Sequence, residues 1–88
     1  MTTKPVSPSD QAECVRLVLR ELERARAKFP AFNSAHEGYA VILEELDEMW
    51  DEIKRNDTER ARDECVQVAA MALRFLCDVA LATKARDG

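Results

Sequence analysis

Apolar residues recur along this chain at intervals of three and four, with polar residues between them, and nowhere alternate one by one as in a strand. Three stretches carry that helical period. In the first, Val15, Val18, Leu19, Leu22 and Ala25 form one stripe, with Leu17 off it. Ser9 or Asp10 is the expected cap, and the helix is expected to run to about Lys28. The segment "FPAFNS" then breaks it, because Pro30 disfavours a helical residue before it, and Phe29 and Phe32 are expected to fold back onto the core. In the second stretch Tyr39, Ile42, Leu43, Leu46, Met49, Trp50 and Ile53 share a face between about Ala35 and Arg55. "SAHE" opens it as a capping box, Ser34 with Glu37. Asp57 or Thr58 caps a third helix that reaches about Thr83.

The third stretch differs in kind. From Cys65 to Ala82 it is apolar on most of its circumference, including Val66, Val68, Met71, Leu73, Phe75 and Val79. Such a helix needs neighbours on nearly all sides, and two other helices cannot supply them. The expected architecture is therefore all-α: a three-helix chain completing a multi-helix bundle by homo-oligomerisation, as a homodimer or homotetramer. Residues 9–84 are expected to form one domain between a flexible lead-in, 1–8, and a flexible end, 85–88.

Composition adds limits. Eighty-eight residues make one small domain with a modest core. The net charge of −4 and the dispersed basic residues argue against a nucleic-acid polymer as partner. No apolar run is long enough to span a membrane and no signal peptide is evident, so a cytoplasmic protein is expected. Cys14, Cys65 and Cys77 have no CxxC spacing and His36 is the sole histidine, which excludes an ordinary zinc site. Cys65 and Cys77 lie in apolar surroundings and are expected to be buried and reduced.

The chemistry lies in "EELDE" and "ECVQ". Relative to Leu46, Glu45 is displaced by roughly 100° and Glu48 by roughly 160°, so the two adjoin at the edge of the apolar stripe. Alone, such a row reads as a solvated face. On the third helix, however, Glu64 lies only about 40° from Val68, within the inward half. A buried carboxylate needs a partner: Arg60, Arg74 of a symmetry mate, or a cation shared with Glu45 and Glu48. A short turn near Asn56 brings Glu48 and Glu64 to similar heights.

Together the segments spell EExxE, at Glu44, Glu45 and Glu48, followed by ExxQ at Glu64 and Gln67. This pattern, with "HEGYAVILEELDEMWDEIK" around it, resembles the MazG-like all-α nucleoside triphosphate pyrophosphohydrolases over about residues 29–82. Their pattern ends in ExxD. The resemblance implies Mg²⁺, with Mn²⁺ as a substitute, held by Glu45, Glu48, Glu64 and Gln67. It implies attack of water on the α-phosphorus of a canonical or modified (deoxy)nucleoside triphosphate, giving a monophosphate and pyrophosphate. Glu44 is a candidate for base or supporting duty. Gln67 in place of aspartate removes one charge but keeps a carbonyl oxygen as a ligand. Three outcomes follow from it: one metal held firmly, a second recruited with substrate, or activity lost.

Arg74 is a candidate phosphate contact, or else an ion-pair partner for Asp78 four residues on. Lys54 is a second candidate contact, or else compensates a helix C-terminus. Trp50 and Tyr39 read as core rather than as base-stacking groups. The alternatives to the hydrolase are a weakened relative that binds without turnover, and a helical interaction module whose acidic row is simply wet.

Overall fold

Ser7, not Ser9 or Asp10, starts the first helix, its Oγ accepting the Asp10 amide at 3.1 Å. Pro8 takes the first helical position, where its missing N–H costs nothing and its fixed φ suits a helix. The structure, a computed structural model, describes residues 5–81. Three α-helices follow one another: α1 (Pro8–Lys28), α2 (Ala35–Lys54) and α3 (Thr58–Phe75). The backbone continues from α3 into a π-helical segment, Leu76–Leu81. Among the described residues there is no strand, and no helix is long and apolar enough to cross a membrane. The expected third-helix end near Thr83, the tail at 85–88 and most of the lead-in lie outside the described residues.

The joints are made by the expected cap residues. Ser34 caps α2, accepting the Glu37 amide at 3.1 Å. The box is not closed on Ser34, however: the Glu37 carboxylate accepts from the backbone and side-chain nitrogens of Asn33. Asp57 caps α3 through the Arg60 amide at 3.0 Å. Between them Asn56 adopts φ 60°, a left-handed conformation that asparagine tolerates. The amides of Asn56 and Asp57 return to the carbonyls of Ile53 and Glu52, the paired bonds of a Schellman turn. That turn sets α2 and α3 antiparallel.

Helix α3 is the central element and packs on both α1 and α2, which barely meet. The core is small: Ala25, Phe32, Ala70 and Met71, edged by Val18, Leu22, Val41, Ile42, Phe75 and Val79. Phe32 is buried as expected, but Phe29 is half exposed. The connector between α1 and α2 is held by charged groups. Arg74, 6% exposed, donates to the Pro30 carbonyl at 2.5 Å and lies 4.1 Å above the Phe32 ring. Asp78 accepts the Phe32 amide at 3.2 Å and pairs with Arg26 at 3.3 Å and Arg74 at 3.5 Å. Each buried charge here has its partners, which is what makes burial tolerable.

The largest departure from expectation concerns α2. Of its apolar stripe only Ile42 and Met49 are half-buried, while Tyr39, Leu43, Leu46, Trp50 and Ile53 are exposed. The helix is rolled by roughly 120° from a fully buried stripe. It turns Gly38, Val41, Glu45 and Glu52 toward its neighbours instead. Gly38 explains the choice: a Cβ there would stand 2.5 Å from Cδ2 of Phe75 and 3.2 Å from Phe32. The two helices approach most closely on the glycine face. Cys65 and Cys77 also depart from the expected burial: like Cys14, both are free thiols on the exposed surface.

Candidate cation site

Rolling α2 brings its carboxylates inward. Glu45 and Glu48, three residues apart, stand on the same side of α2, and the antiparallel turn sets Glu64 of α3 at their height. One carboxylate oxygen from each of the three lies within 4.8 Å of the others. Glu52, one turn beyond Glu48, adds a fourth carboxylate, and its charge bears on Glu64. The Oε2 atoms of Glu45, Glu52 and Glu64 are buried without any hydrogen-bond partner. A carboxylate oxygen so placed forfeits water and gains nothing in return, which costs a few kcal/mol unless a cation or proton is supplied.

Proton affinities reflect that deficit. Burial, followed by repulsion from Glu48 and Glu64, pushes the Glu45 carboxyl up to about 7. Glu64 is likewise held above the usual carboxylate range, first by burial and then by the neighbouring Glu48. A divalent cation would satisfy the same oxygens more completely than a shared proton. Three convergent carboxylates offer hard oxygen ligands of the kind Mg²⁺ or Mn²⁺ takes. The donor set fits.

The cluster opens into a groove of about 510 Å³ between α1, the connector and the α2–α3 pair. Glu45, Glu48 and Glu64 form its acidic wall, while Arg24, Lys28 and Arg74 bring positive charge to the same groove. Gln67 also lines it, one turn along α3 from Glu64. Glu21 is held below the usual carboxylate range by its paired bonds to Arg24, at 2.9 and 2.6 Å, and also by the Gln67 amide.

Of the residues singled out in the sequence, the structure brings Glu45, Glu48, Glu64, Gln67 and Arg74 to one groove. Glu44 is exposed and stands apart from the three-carboxylate cluster. Lys54 lies outside the groove, paired with Asp51 at 3.3 Å and 5.7 Å from the Trp50 ring. Arg74 makes the ion pair with Asp78 that its spacing suggests while also facing the groove. Sequence reasoning missed the contribution of α1, namely Glu21, Arg24 and Lys28. Their spacing of three and four beside the buried Ala25 is the signal that marks a charged stripe next to the packed face. No family model, curated protein or solved structure matches the chain, so the site is read from its own geometry.

Proposed function

We propose that the protein is a Mg²⁺-dependent nucleoside triphosphate pyrophosphohydrolase of the MazG-like type, acting as a homo-oligomer on soluble nucleotides of the cytoplasm. One observation carries this reading: three carboxylates converge, two of them with buried and unpartnered oxygens, in a groove that also presents Arg24 and Lys28. A site that takes a cation at one wall and negative charge at the other suits a polyphosphate. Magnesium, when bound, neutralises phosphate charge and lowers the pKa of the attacking water, with Mn²⁺ able to replace it. Glu45, Glu48 and Glu64 hold the ion, and Gln67 supplies a neutral carbonyl oxygen one turn from Glu64. Arg24 and Lys28 orient the phosphate tail so that water meets the α-phosphorus and pyrophosphate departs. The exposed Phe29 ring at the groove edge offers an apolar surface to the base. Glu44, exposed next to Glu45 on α2, is left as a candidate for base or supporting duty. Removal of unwanted canonical or modified (deoxy)nucleotides is the corresponding role.

A second reading, a helical interaction module without catalysis, draws support from the exposed apolar stripe of α2. One experiment separates the two: pyrophosphate release from a panel of canonical and modified dNTPs with Mg²⁺ or Mn²⁺, beside Glu48→Gln. Release by the native protein that the variant lacks supports the hydrolase. Nucleotide or metal binding by calorimetry without release marks a weakened relative. Neither binding nor release leaves the interaction module.

A further inference from the structure

The groove carries a further carboxylate at the end away from the cation wall. Glu37, Val41, Glu45 and Glu48 all line it, following one another along one side of α2. Eight residues separate Glu37 from Glu45, a rise of roughly 12 Å. That is about the reach of a nucleotide from its α-phosphate to the far edge of its base. Between the two ends lie Val41 and the buried Met71, which make the waist of the groove apolar. At the Glu37 end Phe32 packs against the Gly38 position, Arg74 lies over Phe32, and the half-exposed Phe29 ring stands 6.0 Å from Arg74. Phe29 offers its ring for stacking at the same level.

The Glu37 carboxylate is fixed in place without being saturated. Its Oε1 accepts the Asn33 backbone amide at 3.2 Å, and its Oε2 accepts the Asn33 side-chain nitrogen at 3.0 Å. One donor on each oxygen sets the plane of the group and leaves each oxygen a further lone pair. Among the described residues no lysine or arginine pairs with it. A held carboxylate with no counter-charge is suited to accept hydrogen bonds from a ligand in the groove.

We propose that Glu37 selects the base, and that the base is a 2-amino-6-oxopurine: guanine, or guanine oxidised at C8. The assignment rests on the groove being a nucleoside triphosphate site. A carboxylate presents two acceptors side by side. The Watson–Crick edge of guanine presents two donors side by side, N1–H and N2–H, so the two groups join by parallel bonds as a carboxylate and a guanidinium do. Every other common base puts an acceptor beside its donor. Adenine sets N1 beside its N6 amino group, cytosine sets N3 beside its N4 amino group, and thymine flanks N3–H with two carbonyls. Each then turns a lone pair toward a carboxylate oxygen, and repulsion replaces a bond. Oxidation at C8 leaves the edge unchanged, so both guanines fit. Hypoxanthine is the sharpest comparison, because it lacks only the 2-amino group.

Binding separates this assignment from turnover. The full chain with Mg²⁺ would be titrated by calorimetry with α,β-imido deoxynucleoside triphosphates, which resist cleavage at the α–β bridge. The bases are guanine, 8-oxoguanine, hypoxanthine, adenine, cytosine and thymine. Both guanine forms are expected to bind about tenfold or more tighter than the other four, and whichever of the two binds tighter distinguishes an oxidised from an ordinary substrate. In Glu37→Gln most of the lead of guanine over hypoxanthine should vanish, because an amide keeps one acceptor and sets an N–H against the other guanine donor. Equal binding of guanine and hypoxanthine by the native chain overturns the proposal, and so does a guanine lead that Glu37→Gln leaves intact. The native comparison decides by itself if the variant fails to fold. Pyrophosphate release from ordinary dNTPs is scored separately. Guanine-selective binding without release keeps the base assignment and refutes the hydrolase. Release from every dNTP without selective binding keeps the hydrolase and refutes the assignment, and no binding of any analogue overturns both.

Discussion

Replacing Glu45 by glutamine is expected to strengthen the protein without cations and to abolish its response to them. In the unfolded chain the carboxyl titrates near 4.5, while in the fold burial and the charges of Glu48 and Glu64 push it up to about 7. Between those two values the folded chain holds more protons than the unfolded one. Stability from this group is therefore fully present below about pH 4.5, falls as pH rises through the window, and levels off above about pH 7. A tenfold change in proton affinity corresponds to about 1.4 kcal/mol. Water at the groove mouth screens much of this, leaving about 1–2 kcal/mol of penalty for the ionised group. Glu45→Gln keeps the shape and removes the charge. Calorimetry at fixed chain concentration, pH 8, with chelator present, should show the variant melting about 5–10 °C above the native protein. At pH 4.5 the two should melt together. Mg²⁺ at a hundredfold excess over its dissociation constant should then raise the native protein by about 2.7 kcal/mol and the variant hardly at all, which reverses their order. A variant less stable than the native protein at pH 8 in chelator, or one that responds equally to Mg²⁺, would refute the reasoning.

Other substitutions test other parts of the fold and site. Gly38→Ala should cost about 1–3 kcal/mol in urea unfolding, although alanine favours the helix by about 1 kcal/mol, because the new Cβ meets the Phe75 ring. Arg74→Met should cost about 3 kcal/mol, since the Pro30 carbonyl loses its donor and Asp78 keeps only Arg26 as a charged partner; a loss under half that size would mean the network is dispensable. Gln67→Asp should tighten Mg²⁺ binding by about tenfold, read by titration calorimetry, and unchanged affinity would place residue 67 outside the coordination sphere.

Helix number, order and two of the three caps were legible in the sequence, because Ser34, Asp57 and the period of apolar residues act locally. The convergence of Glu45, Glu48 and Glu64 was legible as well, from helical angles and the shortness of the turn at Asn56. The roll of α2 was not. A stripe of Tyr39, Leu43, Leu46, Trp50 and Ile53 looks like core by periodicity, and only the close contact of Gly38 with Phe75 decides which face turns inward. The groove wall on α1 is a matter of tertiary placement, since Arg24 and Lys28 become relevant only once α1 and α2 both dock on α3. The exposure of the thiols is not legible either, because an apolar neighbourhood in sequence does not fix burial in space: Cys65 on α3 and Cys77 in the π-helical segment after it are both exposed.

The latch formed by Arg74 and Asp78 also fixes an order of events in time. Helices α2 and α3 are joined by a tight turn and can zip together as soon as both exist. Helix α1 has no such neighbour in sequence: its connector is held by bonds reaching 44 and 46 residues along the chain. Closing loops of that length is slow and entropically costly. During synthesis, then, α1 emerges first yet docks last, after Arg74 and Asp78 have been added. In the finished molecule it should be the first part to lift away, carrying Arg24 and Lys28 with it. Amide hydrogens of α1 are accordingly expected to exchange with solvent sooner than those of α2 and α3, and uniform protection across the three helices would show that the molecule opens only as a whole.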